Sequence, residues 1–126
     1  MGDLLSNIGS SLTGNKMWME TITNNITNMN TTRTENGGPY KRQTVLFKDV
    51  LDGVQVKKIT VNDSVKTVFN PNHPDANKEG YVNMPAIDLT AEITNLMQSQ
   101  KGYQASVTAL NAEKKVIEKT STIGQN

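Results

Sequence analysis

The stretch "TITNNITNMNTT", residues 21–32, decides how the chain is read. Threonine and asparagine dominate it, and both are poor helix formers. Asparagine's short polar side chain competes for backbone hydrogen bonds, and threonine loses rotamer freedom against the preceding turn. Yet Ile22, Ile26 and Met29 are spaced four and then three apart, which places them on one face of a helix. A helix with an apolar stripe and low intrinsic propensity is weakly folded alone and becomes helical when other chains cover the stripe. The competing reading leaves Asn and Thr on the solvated face of a stable hairpin.

Working outward, the stripe extends over residues 3–31 as Leu5, Ile8, Leu12, Asn15, Met19, Ile22, Ile26 and Met29, at heptad spacing with Asn15 its one polar member. Leu4, Met17 and Trp18 widen it, while Gly9 and Gly14 weaken the helix locally. The "NGGP" turn at 36–39 ends any helix. A second heptad stripe runs through residues 88–123: Leu89, Ile93, Leu96, Tyr103, Val107, Leu110 and Ile117, with Gln100 and Lys114 as polar members. Met97, Ala105, Ala109 and Val116 widen this one. Asp88 is the expected N-cap, with Glu92 nearby, and Gly124 the expected residue just past the end. This helix would be about 50 Å long.

Between the helices the pattern becomes extended. "YKRQTVLF" (40–47), "VQVKKITV" (54–61), "KTVF" (66–69) and "YV" (81–82) are rich in β-branched and aromatic residues. Turn signals separate them: Asp52-Gly53, Asn62-Asp63, "NPNHP" (70–74), "KEG" (78–80) and Met84-Pro85. The apolar positions change phase after Val56, so an extra residue at Lys57-Lys58 predicts a β-bulge. The expectation is two or three short antiparallel strands anchored by Val45, Phe47, Val56, Ile59, Val61 and Phe69. The fold class is thus mainly α with a small β insert: an N-terminal helix unit (1–35), a middle β/loop segment (36–87) and a C-terminal helix unit (88–126). The long helices are expected to pack as a coiled coil within an axial assembly.

The composition excludes more than it selects. The chain has 126 residues, 35% apolar and 5% aromatic, which argues against a large core. Its 13 basic and 12 acidic residues leave a net charge of +1, and Lys57-Lys58 and Lys114-Lys115 lack the aromatic interleaving of a nucleic-acid surface. No cysteine is present, which removes disulfides, thiolate catalysis and cysteine metal sites. "MGDLLS" fits only the outline of a myristoylation signal, and the opening residues lack the form of a cleaved signal peptide. The one histidine, His73, sits between Pro71 and Pro74. Asp75, Asp63 or Glu79 could join it around a metal, but turn chemistry accounts for this loop without one. Neither a phosphate-cradling glycine loop nor a nucleophile elbow occurs. The expectation is therefore no catalytic residue, no cofactor, no metal, no nucleic acid and no direct membrane insertion.

Four stretches together resemble the flagellar basal-body rod proteins. "NNITNMNTT" (24–32) is similar to the signature that closes the first helix of flagellar axial proteins. "PYKRQTVLF" (39–47) resembles the start of the family's middle segment. "FNPNHPDANKEGYVNMP" (69–85) matches an order of His-Pro, Ala, Gly-Tyr-Val and Pro typical of the proximal-rod type. "SQKGYQASVTALNAEKKVIEKTSTIGQ" (99–125) is similar to the C-terminal helix. Three places depart from the family's wording: Ser106, where asparagine is common, Gly102, where serine is common, and "MWMETIT" (17–23), where an Ala/Gln-rich stretch is usual.

The resemblance implies a structural subunit of the rod, the drive shaft that carries torque from motor to hook. It implies export by the flagellar type III apparatus without a cleaved signal peptide, and residence in the basal body, in the periplasm or cell-wall space. The implied partners are copies of itself, other rod proteins, and export-gate or rod-base adaptor proteins. Asn25, Asn28 and Thr31 fall on the axial signature. With the stripes they give the expected assembly interface: Leu12, Ile22, Asn25, Ile26, Asn28, Met29, Thr31, Ile93, Leu96, Tyr103, Gln104, Val107, Leu110 and Ile117. A type III-exported soluble binding module that never enters a rod is the alternative.

Overall fold

The first helix, α1 (Gly2–Thr27), ends well before the glycines at 37 and 38. Asn28 ends it. Its Nδ2 donates to the Asn24 carbonyl at 2.8 Å, alongside its own backbone N–H at 3.0 Å. The chain then tightens into three-residue turns, Met29 N–H to Ile26 O at 3.3 Å and Thr31 N–H to Asn28 O at 3.0 Å. This is the competition that an Asn/Thr run offers a helix. The following loop closes on itself, Tyr40 N–H to Thr31 O at 3.0 Å and Thr34 N–H to Gly38 O at 2.9 Å. It turns through Gly37 and Gly38, whose φ of 85° and 48° lie in the region that favours glycine.

The computed structural model describes residues 2–50 and 53–124. After α1 come β1 (Arg42–Val50), β2 (Gly53–Asn62), β3 (Val65–Phe69), β4 (Tyr81–Pro85) and α2 (Leu89–Gly124). The strands form two separate antiparallel hairpins, β1–β2 and β3–β4. Among the described residues there are thus four strands rather than two or three, and β1 and β2 are not short, at 9 and 10 residues. Leu46 pairs with Lys58 and Phe47 with Val56, so Lys57 is the extra residue and the bulge lies where the phase change put it. The Asp52-Gly53 turn falls partly outside the described residues, as does the Val56 side chain.

Asn62 Oδ1 accepts the Ser64 N–H at 2.9 Å, a side-chain turn that separates β2 from β3. Met84-Pro85, expected as a turn, instead ends β4, where Pro85 pairs with Val65. A two-stranded sheet has only edge strands, and an edge accepts a residue without an N–H. Of the expected anchors, Val45 is buried; Phe47 reaches Trp18 edge-on at 6.0 Å; Ile59, Val61 and Phe69 are exposed. Two-stranded ribbons have too few layers to cover both faces.

The two helices run antiparallel. Asn25 meets Glu92, and Asn15 lies against Gly102. Asp88 caps α2, its Oδ1 accepting the Thr90 N–H at 3.1 Å. Gly124 closes the described helix and is not among the left-handed glycines. The seam itself differs from the one expected. Its buried line on α2 is Glu92, Ser99, Ser106 and Glu113, a heptad of polar and small residues. At 3.6 residues per turn, Leu96, Tyr103, Val107, Leu110 and Ile117 lie roughly 40–100° round from that line. They are half-buried, while Leu89, Ile93 and Met97 are exposed.

Small side chains let the backbones approach closely at mid-helix. A Cβ on Gly102 would lie 2.6 Å from Asn15 Oδ1, and Asn15 Nδ2 is held by the Ser11 carbonyl at 2.9 Å. We therefore expect Gly102→Ala to show its helix-propensity gain of about 1 kcal/mol only in an Asn15→Ala background. With Asn15 present the clash offsets it. Urea midpoints of the four chains would measure this, and equal shifts in both backgrounds would refute the close approach.

Candidate assembly surface and the clamp beneath it

Asn25, at the end of α1, is 1% exposed and holds β1 as another strand would. Its Nδ2 donates to the Gln43 carbonyl at 2.8 Å, and its Oδ1 accepts the Gln43 N–H at 2.9 Å. The same oxygen accepts the Tyr40 hydroxyl at 2.8 Å. On the far side lies the Glu92 carboxylate, also 1% exposed, with Oε2 3.5 Å from Asn25 Nδ2. Arg42 Nε donates to Glu92 Oε1 at 2.5 Å, and an Arg42 terminal nitrogen donates to Thr44 Oγ1 at 3.1 Å. A carboxylate buried to this degree is tolerable only when paired and hydrogen-bonded. One polar clamp thus joins α1, the start of β1 and the first turn of α2. Burial raises the Tyr40 pKa, with the negative charge of Glu92 adding to the effect.

A second tie fastens the His-Pro loop to the end of α1. Thr32 Oγ1 donates to Asp75 Oδ2 at 2.6 Å, and Arg33 pairs with Asp75 Oδ1. The hydrogen bond from Thr32, then that from Arg33, lowers the Asp75 pKa. His73 Nδ1 accepts the Asp75 backbone N–H at 2.9 Å, so this imidazole staples its own loop. Among the described residues no group of three or more His, Asp or Glu converges. No helix of the described residues is long and apolar enough to cross a membrane. Gly80, with φ of 91°, lies against the Phe69 ring, which stacks edge-on with Tyr81 at 5.3 Å.

The clamp fixes which faces of the helices remain open. Trp18, Thr21 and Asn25 lie to one side of the α1 seam line Ile8–Asn15–Ile22, and the β1–β2 hairpin covers that side. Leu5, Leu12, Met19 and Ile26 lie roughly 40–60° to the other side. The α2 residues Leu96, Tyr103, Val107, Leu110 and Ile117 are rotated in the same sense. In an antiparallel pair, equal rotation brings both sets to one face. That face, opposite the hairpin, is lined by half-buried apolar side chains.

The expected interface residues divide accordingly. Leu12, Ile26, Leu96, Tyr103, Val107, Leu110 and Ile117 share the open face. Ile93 and Gln104 are exposed beyond it, and Ile22 is buried in the seam at 2% exposure. Asn25 lies in the clamp. Asn28 and Thr31 bond to each other at 3.2 Å in the turn after α1, and half-buried Met29 adjoins them. Sequence reasoning misses Tyr40, Arg42 and Gln43 altogether, and it reads Glu92 only as an acid near a helix start. The signal that could have found them is an acid at a heptad position in register with Ser99 and Ser106.

The C-terminal part matches the family model described as flagellar basal body rod FlgEFG protein C-terminal, over residues 78–123. The flagellar basal-body rod protein FlgC of Bacillus subtilis (strain 168) is 37% identical, across 92% of this chain and 93% of its own length. That of Borreliella burgdorferi is 32% identical, across 94% and 95%. That of Salmonella typhimurium (strain LT2) is 31% identical, across 93% and 92%.

Removing one side of the Arg42–Glu92 pair is expected to cost unequal amounts. Arg42→Ala removes the cation from a carboxylate that is 1% exposed and should cost roughly 3–5 kcal/mol. Glu92→Ala leaves an arginine that is already 27% exposed and should cost clearly less. Denaturant melts of both variants check the order; a larger loss for Glu92→Ala would overturn it.

The pH limits follow from the two shifted groups. Tyr40 has a raised pKa, so its contribution is complete below the ordinary tyrosine range and is lost as pH rises through the raised value. Asp75 has a lowered pKa, so its contribution is present above the ordinary carboxylate value and is lost as pH falls through the lowered one. Tyr40→Phe should flatten the alkaline limb of the stability profile and Asp75→Asn the acid limb. Urea midpoints across pH are the measurement, and unchanged limbs would count against both ties.

Proposed function

The chain belongs to the FlgC family of flagellar basal-body rod proteins, and from that premise we propose that it is a structural subunit of the flagellar rod. The observation that carries the reading is identity above 30% to named rod proteins across nearly the whole chain and nearly the whole of each relative. Two long helices flanking a small β segment give the subunit a form suited to that role. In the rod, the open apolar face opposite the β1–β2 hairpin packs against the helices of neighbouring subunits as a coiled-coil-like seam. The N-terminal and C-terminal helix units build the axial wall, and the middle segment lies outside it. Torque passes through many such interhelical contacts, so the role is mechanical and not catalytic.

The low helix propensity of the Asn/Thr run suits this route. A chain that crosses an export channel unfolded gains from helices that complete their packing on arrival. The partners are copies of this chain, other rod proteins and the adaptor proteins at the rod base. The location is the basal body, in the periplasm or cell-wall space, reached through the flagellar type III system.

The test is mass spectrometry of purified hook–basal bodies, with a deletion strain as control. The chain should be found in wild-type particles, and the deletion strain should lack filaments. Intact basal bodies without the chain would sink the assignment. Within the interface, Ile26→Asp places an unpaired charge on the open face and is expected to abolish incorporation. Because Ile26 is only half-buried, the isolated variant should remain folded by circular dichroism. Normal incorporation of that variant would refute the packing surface.

A further inference from the structure

Asn36 is the one asparagine in the sequence that precedes a glycine. Such a pair carries a latent reaction within a single chain. The backbone nitrogen of the second residue can attack the side-chain carbonyl carbon of the first. Other residues hinder the attack with their own Cβ, and glycine has none. Asn36 and Gly37 are both exposed, and a Cβ built on Gly37 would meet nothing within 4 Å. No packed neighbour crowds the attacking residue.

The loop restrains the pair by hydrogen bonding instead. Gly37 N–H, the group that would attack, donates to the Thr34 carbonyl at 2.9 Å and closes a turn over residues 34–37. Neither Glu35 nor Asn36 has a positive φ, so the turn is of type I. The third residue of that turn has ψ of about 0°. This points the Gly37 nitrogen away from the Asn36 side chain, whereas closing a five-membered ring needs that nitrogen eclipsed with Cβ. A second layer braces the turn. Thr34 N–H and Thr34 Oγ1 both donate to the Gly38 carbonyl, at 2.9 and 3.1 Å.

We propose that Asn36 is a self-modification site held shut by the folded loop: it deamidates while the chain is unfolded and is protected once residues 34–38 close. In the reaction the Gly37 nitrogen gives up its proton and bonds to Asn36 Cγ. The Cγ–Nδ2 bond breaks, and the amide nitrogen leaves as ammonia with that proton. Water then opens the cyclic imide at either carbonyl. One opening yields aspartate at position 36. The other yields isoaspartate, in which the main chain runs through the side-chain carbon.

Both products place a new negative charge beside Glu35. Isoaspartate also lengthens the backbone between residues 34 and 38 by one carbon, so the pairing of Thr34 with Gly38 loses its register. The damage falls next to Thr32 and Arg33, the residues that hold Asp75. Because the reaction does not reverse, its extent records the time a chain has spent unfolded.

The test incubates the full-length chain in mildly alkaline buffer, with and without denaturing guanidinium. Mass spectrometry follows the peptide containing residue 36, where amide becomes acid and isoaspartate elutes separately from aspartate. Exchange of the Gly37 amide proton in native buffer reports whether its bond to Thr34 is made. Modification is expected to be roughly two- to ten-fold slower in native buffer, the range that one neutral backbone hydrogen bond supplies. Equal rates in the two buffers, with the Gly37 amide protected, would overturn the protection. An unprotected amide in native buffer would overturn the loop closure on which it depends. A denatured chain that stays unmodified at position 36 would overturn the site itself.

Discussion

The buried Glu92 carboxylate governs the rest of the structure. A charge with almost no access to water must be given a cation and hydrogen-bond donors, and the chain supplies them from three elements: Arg42, the Asn25 amide and, through Asn25, the Tyr40 hydroxyl. Satisfying one charge therefore draws the end of α1, the beginning of β1 and the first turn of α2 to a single point. Asn25 does most of the joining, since its amide offers β1 the same donor–acceptor pair that a neighbouring strand would.

This point of attachment sets the rotation of both helices. With Asn25 and Trp18 turned toward the β1–β2 hairpin, the α1 seam centres on Ile8, Asn15 and Ile22. With Glu92 turned toward Asn25, the α2 seam follows in register through Ser99, Ser106 and Glu113. The α2 stripe, and Leu5, Leu12, Met19 and Ile26 of the α1 stripe, are rotated off the seam to one common face. A helical pair joined mainly through small and polar residues gains little from burial, and the apolar side chains beside its seam are left half-buried. For a subunit this arrangement is coherent: the contact within the chain needs only enough stability to set geometry, and the apolar surface is reserved for neighbours.

The two ties also separate tasks within the middle segment. The clamp fastens the β1–β2 hairpin to the helices, while the Asp75 tie fastens the β3–β4 hairpin and its His-Pro loop to the end of α1. Both pass through residues 25–43, the stretch where the Asn/Thr run gives up the helix. Poor helix formers are useful there because their side chains can bond across to other segments as well as along the chain.

Much of the fold was legible in the residues. Heptad spacing located two long helices, β-branched runs located strands, the phase change at Lys57-Lys58 located a bulge, and Asp88 was recognisable as a cap. These features depend on periodicity and turn chemistry within a few residues, so local sequence determines them. The end of α1, the number of strands and the place of Pro85 in β4 were not legible, because each turns on a choice between competing local bonds. The seam was hidden for a deeper reason. Periodicity gives the spacing of a face but not the direction in which it points. That direction was decided by bonds across 18 and 67 residues, from Asn25 to Gln43 and to Glu92. Only the tertiary structure brings those groups together, and the clamp they form turns the α2 stripe and half of the α1 stripe away from the seam.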